Sequence, residues 1–190
     1  MKIRSNDGPI QYEDEIREMS HDEFEKYISK ITREIEKYLT ENNMRIDYIV
    51  PILRSGAVPA VYIANELNIV KFASIQVKKV KKNGKYDHII LSNSLKDLDK
   101  KKELNLLVVE GTYSSGETAL TALNEIKKTL PKANILFSCV CVRGEENLPK
   151  DVQKNFYAFS LAREKLFVYP WESKGDKETH PDQKLENIFY

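Results

Sequence analysis

Residues 104–118 read LNLLVVEGTYSSGET, and the fold class follows from this stretch. Leu104, Leu106, Leu107, Val108 and Val109 form a nearly unbroken apolar run that ends on one carboxylate, Glu110. An apolar run without polar alternation is how a strand covered on both faces reads. Gly111 to Gly116 then supply turn chemistry. Residues 115–130 return to helical spacing until Pro131 stops them. Strand, glycine-containing turn and helix together make the first part of a βαβ unit.

The pattern recurs on either side. Upstream, residues 45–53 (RIDYIVPIL) read as a buried strand, Arg54-Ser55-Gly56 as a turn, and residues 58–67 as a helix with Pro59 in its first turn. Further back, Ser20 and Glu23 make a capping box ahead of Phe24, Tyr27, Ile28, Ile31, Ile35, Tyr38 and Leu39 at helical spacing. Strands are expected at 69–77, 86–92, 133–142, 156–161 and 165–169. Between the first two lies a basic hairpin, 78–86, carrying the turn dipeptide Asn83-Gly84. Alternating strands and helices predict an α/β, doubly wound fold, an open parallel sheet flanked by helices with right-handed crossovers. No repeat or linker divides the chain, so a single domain over 1–190 is expected, its core about 20–172 and its tail 173–190.

Composition narrows the function classes. The chain has 190 residues and a net charge of +1, which argues against a nucleic-acid partner. The cluster Lys78, Lys79, Lys81, Lys82 and Lys85 keeps a local basic patch as an alternative. Two cysteines, Cys139 and Cys141, make no disulfide framework and read as buried thiols in a reducing compartment. No apolar run approaches the ~20 residues of a membrane span, and residues 1–8 lack the apolar stretch of a secretory signal. A cytoplasmic protein with no membrane partner is expected.

In open α/β sheets ligands bind outside the carboxyl ends of the strands. The loop after Glu110 combines backbone amides, the hydroxyls of Thr112, Ser114, Ser115 and Thr118, a close-approach glycine at Gly116 and a helix N-terminus. That combination suits a phosphate. It is no Walker loop, because the Gly-Lys-Ser/Thr ending is missing. Glu110, an acceptor that repels anions, suits sugar hydroxyls instead. The competing reading is that these residues only form the turn and cap the helix.

The segment 106–118 resembles the phosphoribosyl-pyrophosphate (PRPP) motif of the type I phosphoribosyltransferases: four apolar residues, acids, a short loop, then Ser/Thr-Gly-x-Thr. Residues 49–67 (IVPILRSGAVPAVYIANEL) resemble that family's pyrophosphate loop and following helix. Tyr169-Pro170-Trp171-Glu172 resembles the ending of its bacterial and archaeal 6-oxopurine subgroup. The resemblance implies transfer of the 5-phosphoribosyl group of PRPP to a nitrogenous, purine-like base, with release of pyrophosphate. It places the 5′-phosphate on the loop of Thr112, Tyr113, Ser114, Ser115, Gly116, Glu117 and Thr118, with Gly111 also in the substrate site. It places the ribose hydroxyls on Glu110 and the pyrophosphate on Leu53, Arg54, Ser55 and Gly56, and it makes Glu110 and Ser114 the catalytic residues. Arg143, Phe167 and Val168 fall on the base side, and Mg²⁺ is carried by PRPP and water rather than by direct protein ligands. The basic hairpin matches a mobile cover over the site, and a homodimer is in keeping with the family.

The chain departs from the family's pattern in places. Gly111 stands where the second acid is usual, Ser114 where an Asp near the base is usual, and Ser55 where the pyrophosphate loop has its first Gly. Arg143 replaces a Lys, and Leu166 replaces a stacking aromatic. These departures fall mainly on base recognition and proton transfer, the last of which contributes roughly 10²–10⁴-fold to rate. They leave two readings open: a transferase with an unusual acceptor, or a catalytically weak relative that binds PRPP or a nucleoside monophosphate as a regulatory sensor.

Overall fold

The computed structural model describes residues 16–82, 85–145, 148–161 and 166–172. Residues Lys26–Leu161 form one compact unit, and the described residues of 16–25 and 166–172 belong to a second. In order the elements are β1 (Ile16–Glu18), α1 (His21–Glu41), β2 (Tyr48–Leu53), α2 (Ala57–Glu66), β3 (Ile75–Lys82), β4 (Lys85–Asn93), β5 (Asn105–Tyr113), α3 (Glu117–Thr129), β6 (Asn134–Arg143), β7 (Lys154–Leu161) and β8 (Leu166–Val168). A 3₁₀ turn at Ser94–Asp97 follows β4, its N-cap Asn93 accepting from the Leu95 amide at 3.0 Å.

The larger unit is built on a six-stranded sheet in the order β4-β3-β2-β5-β6-β7. All neighbours are parallel except β3 and β4, which pair antiparallel at one edge. Central β5 and β6 are buried along nearly their whole length, as expected of strands covered on both faces. Leu106, Val108, Ile135 and Phe137 join one cluster with Ala119, Ala122, Leu123 and Ile126 of α3. The alternate residues Leu107, Val109, Leu136 and Val140 point to the other face and are equally buried. The expected α/β class with an open, mostly parallel sheet is what the chain forms.

The capping box at the start of α1 is present, with the Glu23 amide donating to Ser20 Oγ at 3.1 Å. Ile28, Ile31 and Ile35 along one stripe of α1 are fully buried. Tyr27 and Tyr38 of the same helix meet Phe159 and Phe156 of β7. In the smaller unit β1 and β8 pair in parallel, and Trp171 stacks on Tyr169 at 4.8 Å and meets Phe24 edge-on at 4.7 Å. The Tyr169 amide donates to Glu172 Oε2, and the Glu172 amide to the Tyr169 carbonyl, closing that turn.

Two expectations need correction. The strand expected at 69–77 begins only at Ile75. The Ile49 amide donates to the Lys71 carbonyl and the Ala73 amide to the Ile49 carbonyl, so Ile49 faces β3. Pro51, two residues on, faces the same way and has no N–H to continue the ladder, so regular pairing resumes at Ile52↔Ile75. The second correction concerns β5, which does not end at Glu110. It runs to Tyr113, pairing Thr112 with Cys141 and Tyr113 with Val142. Tyr113 is the reason: its ring is 1% exposed and lies edge-on to Phe137 in the core. The turn Asn83-Gly84 and the tail 173–190 lie outside the described residues.

Candidate active site

The parallel pairing of β2 with β5, Pro51 beside Val109, sets their carboxyl ends next to each other. Each end opens into a short turn and a helix. After β2 the turn is Arg54-Ser55-Gly56, and the Leu53–Arg54 peptide is cis. The Gly56 amide donates back to the Ile52 carbonyl at 2.9 Å. A Cβ on Gly56 would lie 2.1 Å from the Val109 carbonyl oxygen, so this turn lies directly on β5 and admits only glycine. Gly56 is also the N-cap of α2 and offers no side-chain acceptor.

After β5, Ser114 and Ser115 are exposed, and Gly116 caps α3 with φ +82° and again no side-chain acceptor. A Cβ there would meet the Tyr113 hydroxyl oxygen at 2.3 Å. Buried Tyr113 therefore props the loop from below, and the left-handed backbone requires glycine. With no side chain capping it, α3 keeps its first-turn amides available to an anion. In α2 the Ala57 amide donates to the Arg54 carbonyl at 3.0 Å and Pro59 has no N–H, so Val58 is the first-turn amide left to face a ligand.

Glu110 lies on β5 between these turns and is 3% exposed. Its Oε1 accepts from Ser55 Oγ and from the Gly111 amide, the latter at 3.0 Å. Burial pushes its carboxyl up to about 7, against the lowering effect of the Ser55 and Gly111 hydrogen bonds. Gly111 is packed against Ser55: a Cβ there would fall 3.0 Å from the Ser55 carbonyl oxygen and 3.1 Å from Ser55 Cβ. At the end of β6, Arg143 Nη1 donates to Ser114 Oγ at 3.4 Å, and its buried Nε has no partner among the described residues. His88 of β4 brings its Nδ1 to 4.0 Å from the Glu117 carboxylate in the first turn of α3.

The structure thus gathers Leu53, Arg54, Ser55, Gly56, Glu110, Gly111, Thr112, Ser114, Ser115, Gly116, Glu117, Thr118 and Arg143 at one end of one sheet. Tyr113 is there too, with its ring turned into the core. Phe167 and Val168 belong to β8 in the smaller unit. Cys139 and Cys141 are buried, free thiols, and burial holds Cys139 well above the usual thiol range. No group of three or more acidic, His or Cys side chains among the described residues makes a metal site. No helix among them is long and apolar enough to cross a membrane.

A cleft of about 750 Å³ lies elsewhere. It is lined by the end of α1, residues 43–47 before β2, and residues 66–71 after α2, at the amino end of β2. It is open to solvent. In parallel sheets the amino ends present neither converging helix N-termini nor the switch point where ligands sit, so the chemistry is assigned to the other end.

A parallel sheet with two uncapped helix N-termini flanking a buried carboxylate defines the α/β class that binds ligands at strand carboxyl ends. Within that class, residues 20–171 match the model for the phosphoribosyl transferase domain, and the chain belongs to that family. The family's reaction, transfer of a phosphoribosyl group from PRPP to a nitrogenous base, is the functional class of this protein. Solved structures share the fold. The purine phosphoribosyltransferase of Pyrococcus horikoshii Ot3 is 21% identical with a TM-score of 0.65, over 82% of this chain and 93% of that one. The xanthine-guanine-hypoxanthine phosphoribosyltransferase of Helicobacter pylori is 12% identical with a TM-score of 0.67, over 86% and 97%. A hypothetical protein from Neisseria gonorrhoeae with bound ppGpp is 16% identical with a TM-score of 0.66, over 87% and 94%. No curated protein matches the chain by sequence.

Sequence reasoning named Ser55, Glu110 and Gly111 one at a time and missed that the three form a single contact. It also missed Tyr113 as the support under Gly116. Neither relation has a local signal, since Ser55 and Glu110 are 55 positions apart.

Proposed function

We propose that this protein is a PRPP-dependent phosphoribosyltransferase acting on a purine-like base. The single observation that carries the reading is the pair of adjacent, uncapped helix N-termini at the ends of β2 and β5 with buried Glu110 between them. The turn at Ser114, Ser115 and Gly116 with Thr118 holds the 5′-phosphate through first-turn amides and hydroxyls. The turn at Leu53 to Gly56 holds the pyrophosphate through amides ahead of Gly56, whose own amide bonds the Ile52 carbonyl, with Arg54 adding charge. Glu110 in its ionised form accepts from the pentose, and Arg143, whose Nε has no partner among the described residues, faces the base side. Ser114 is the nearby hydroxyl that orients the base.

The chemistry replaces the bond from C1′ to pyrophosphate oxygen with a bond from C1′ to a base nitrogen. No protein nucleophile is required, so the residues act by positioning and by stabilising charge on the leaving pyrophosphate. Mg²⁺ would be held by the phosphate oxygens of PRPP and by water rather than by a direct protein ligand, and would supply charge neutralisation on the leaving group. The hairpin of β3 and β4, tied to α3 through His88 and Glu117, is the element suited to cover the site. A cytoplasmic role in purine salvage, with homodimers in solution, completes the reading.

The test is incubation with PRPP, Mg²⁺ and a panel of purine and pyrimidine bases while pyrophosphate release is followed. Release dependent on one base is expected. PRPP binding with no release from any base would contradict the transferase and leave the regulatory reading.

A further inference from the structure

Resting on that reading, we propose that the site recognises one hydroxyl of the pentose rather than the vicinal pair, because Ser55 already occupies one oxygen of Glu110. A carboxylate meets a vicinal diol most directly with one oxygen for each hydroxyl, and each oxygen has about two lone-pair positions. Here Oε1 receives both Ser55 Oγ–H and the Gly111 N–H, which fills it. Oε2 takes no donor from the described residues and is left for the ligand.

The arrangement depends on residue 111 having no side chain. Ser55 Cβ sits where it would be 3.1 Å from a Cβ on Gly111, so the two positions cannot both carry side chains without a shift. The side chain stands on the pyrophosphate turn, and its hydroxyl reaches the carboxylate from there. Ser55 is therefore a positioning residue. It sets which oxygen of Glu110 the sugar meets, and it links the pyrophosphate turn to the pentose contact.

The experiment is calorimetric titration of ribose 5-phosphate and its 2-deoxy and 3-deoxy analogues at about pH 8, where Glu110 is ionised. These probes carry no base, so the result does not depend on the acceptor. One analogue should bind within about threefold of ribose 5-phosphate and the other about tenfold or more weakly, the cost of a lost charge-assisted hydrogen bond. Ser55→Ala keeps the Cβ against Gly111 and frees Oε1. In that variant the tolerated analogue should also fall about tenfold behind ribose 5-phosphate. Wild-type protein that loses about tenfold on both analogues, or on neither, overturns the proposal while the phosphate reading stands. If Ser55→Ala does not fold, the wild-type comparison decides alone. Failure of ribose 5-phosphate itself to bind overturns the proposed function and this inference with it.

Discussion

The two ends of β2 differ in a way that cavity size does not reveal. At its amino end is an open cleft of about 750 Å³, whose lining includes Arg45, Asp47, Glu66 and Lys71. At its carboxyl end atoms are so close that Gly56, Gly111 and Gly116 have no ordinary room for a Cβ. Close packing there brings backbone amides to the surface and leaves one carboxylate buried between two turns. Recognition of a phosphate ester needs donors fixed in direction before the ligand arrives, and tight glycine turns on a parallel sheet provide them. An open cleft between loop ends and helix ends supplies volume without fixed donors.

Substitutions at the two ends should therefore differ in kind. The largest effect is expected at Gly56. Alanine there drives Cβ into the Val109 carbonyl of a central strand and should cost about 4 kcal/mol or more, read as loss of cooperative unfolding or a large fall in urea midpoint. Arg45→Ala at the opposite end should leave the midpoint within about 0.5 kcal/mol. A comparable loss at both ends would erase the contrast.

The next effect is pH-dependent and lies at Glu110. Its carboxyl is raised from 4.5 to about 7, so the native state binds more protons than the unfolded chain between those values. Stability from this group is complete below pH 4.5, declines as pH rises through the window, and is lost above 7. Glu110→Gln keeps acceptors for Ser55 and Gly111 and removes the ionisation. It should stabilise the protein by up to about 3 kcal/mol at pH 8 and by little near pH 5. An equal effect at both values would show that Glu110 does not carry the buried charge.

Smaller again is Gly116→Ala, expected to cost about 2 kcal/mol from the left-handed backbone and the Tyr113 contact together. Tyr113→Phe should recover part of that loss, since the phenolic oxygen is the nearest atom. A double-mutant cycle on urea midpoints measures the recovery, and strict additivity would contradict the prop. The smallest effect is expected near the open cleft. Asn68 holds φ +55°, and Asn68→Gly should change stability by no more than about 0.5 kcal/mol.

Much of this contrast was legible in the chain itself. The apolar run before Glu110 marked the central strand, Ser20 and Glu23 marked the start of α1, and the glycines at 56 and 116 marked the turns. The resemblance of 106–118 and 49–67 to the two phosphate loops led to the family. What stayed hidden depends on contacts between distant segments. Pro51 looked like a tolerable residue in an apolar run, yet its missing N–H delays β3 until Ile75. Tyr113 looked like part of a polar loop, yet its ring enters the core and carries β5 three residues past Glu110. The exchange of side chains between positions 55 and 111 read as two separate departures from the family's pattern, because only the folded chain brings them together.

The most direct test of the phosphate site is titration of PRPP into wild-type protein and into the double variant Ser115→Ala with Thr118→Ala. Saturable binding to wild type and at least about tenfold weaker binding to the variant are expected, since two hydroxyl contacts to a doubly charged group are removed. Arg45→Ala at the far end of β2 should bind as wild type does. Equal affinity in the double variant, or loss of binding on changing Arg45 alone, would contradict the assignment of the site to the carboxyl ends of β2 and β5.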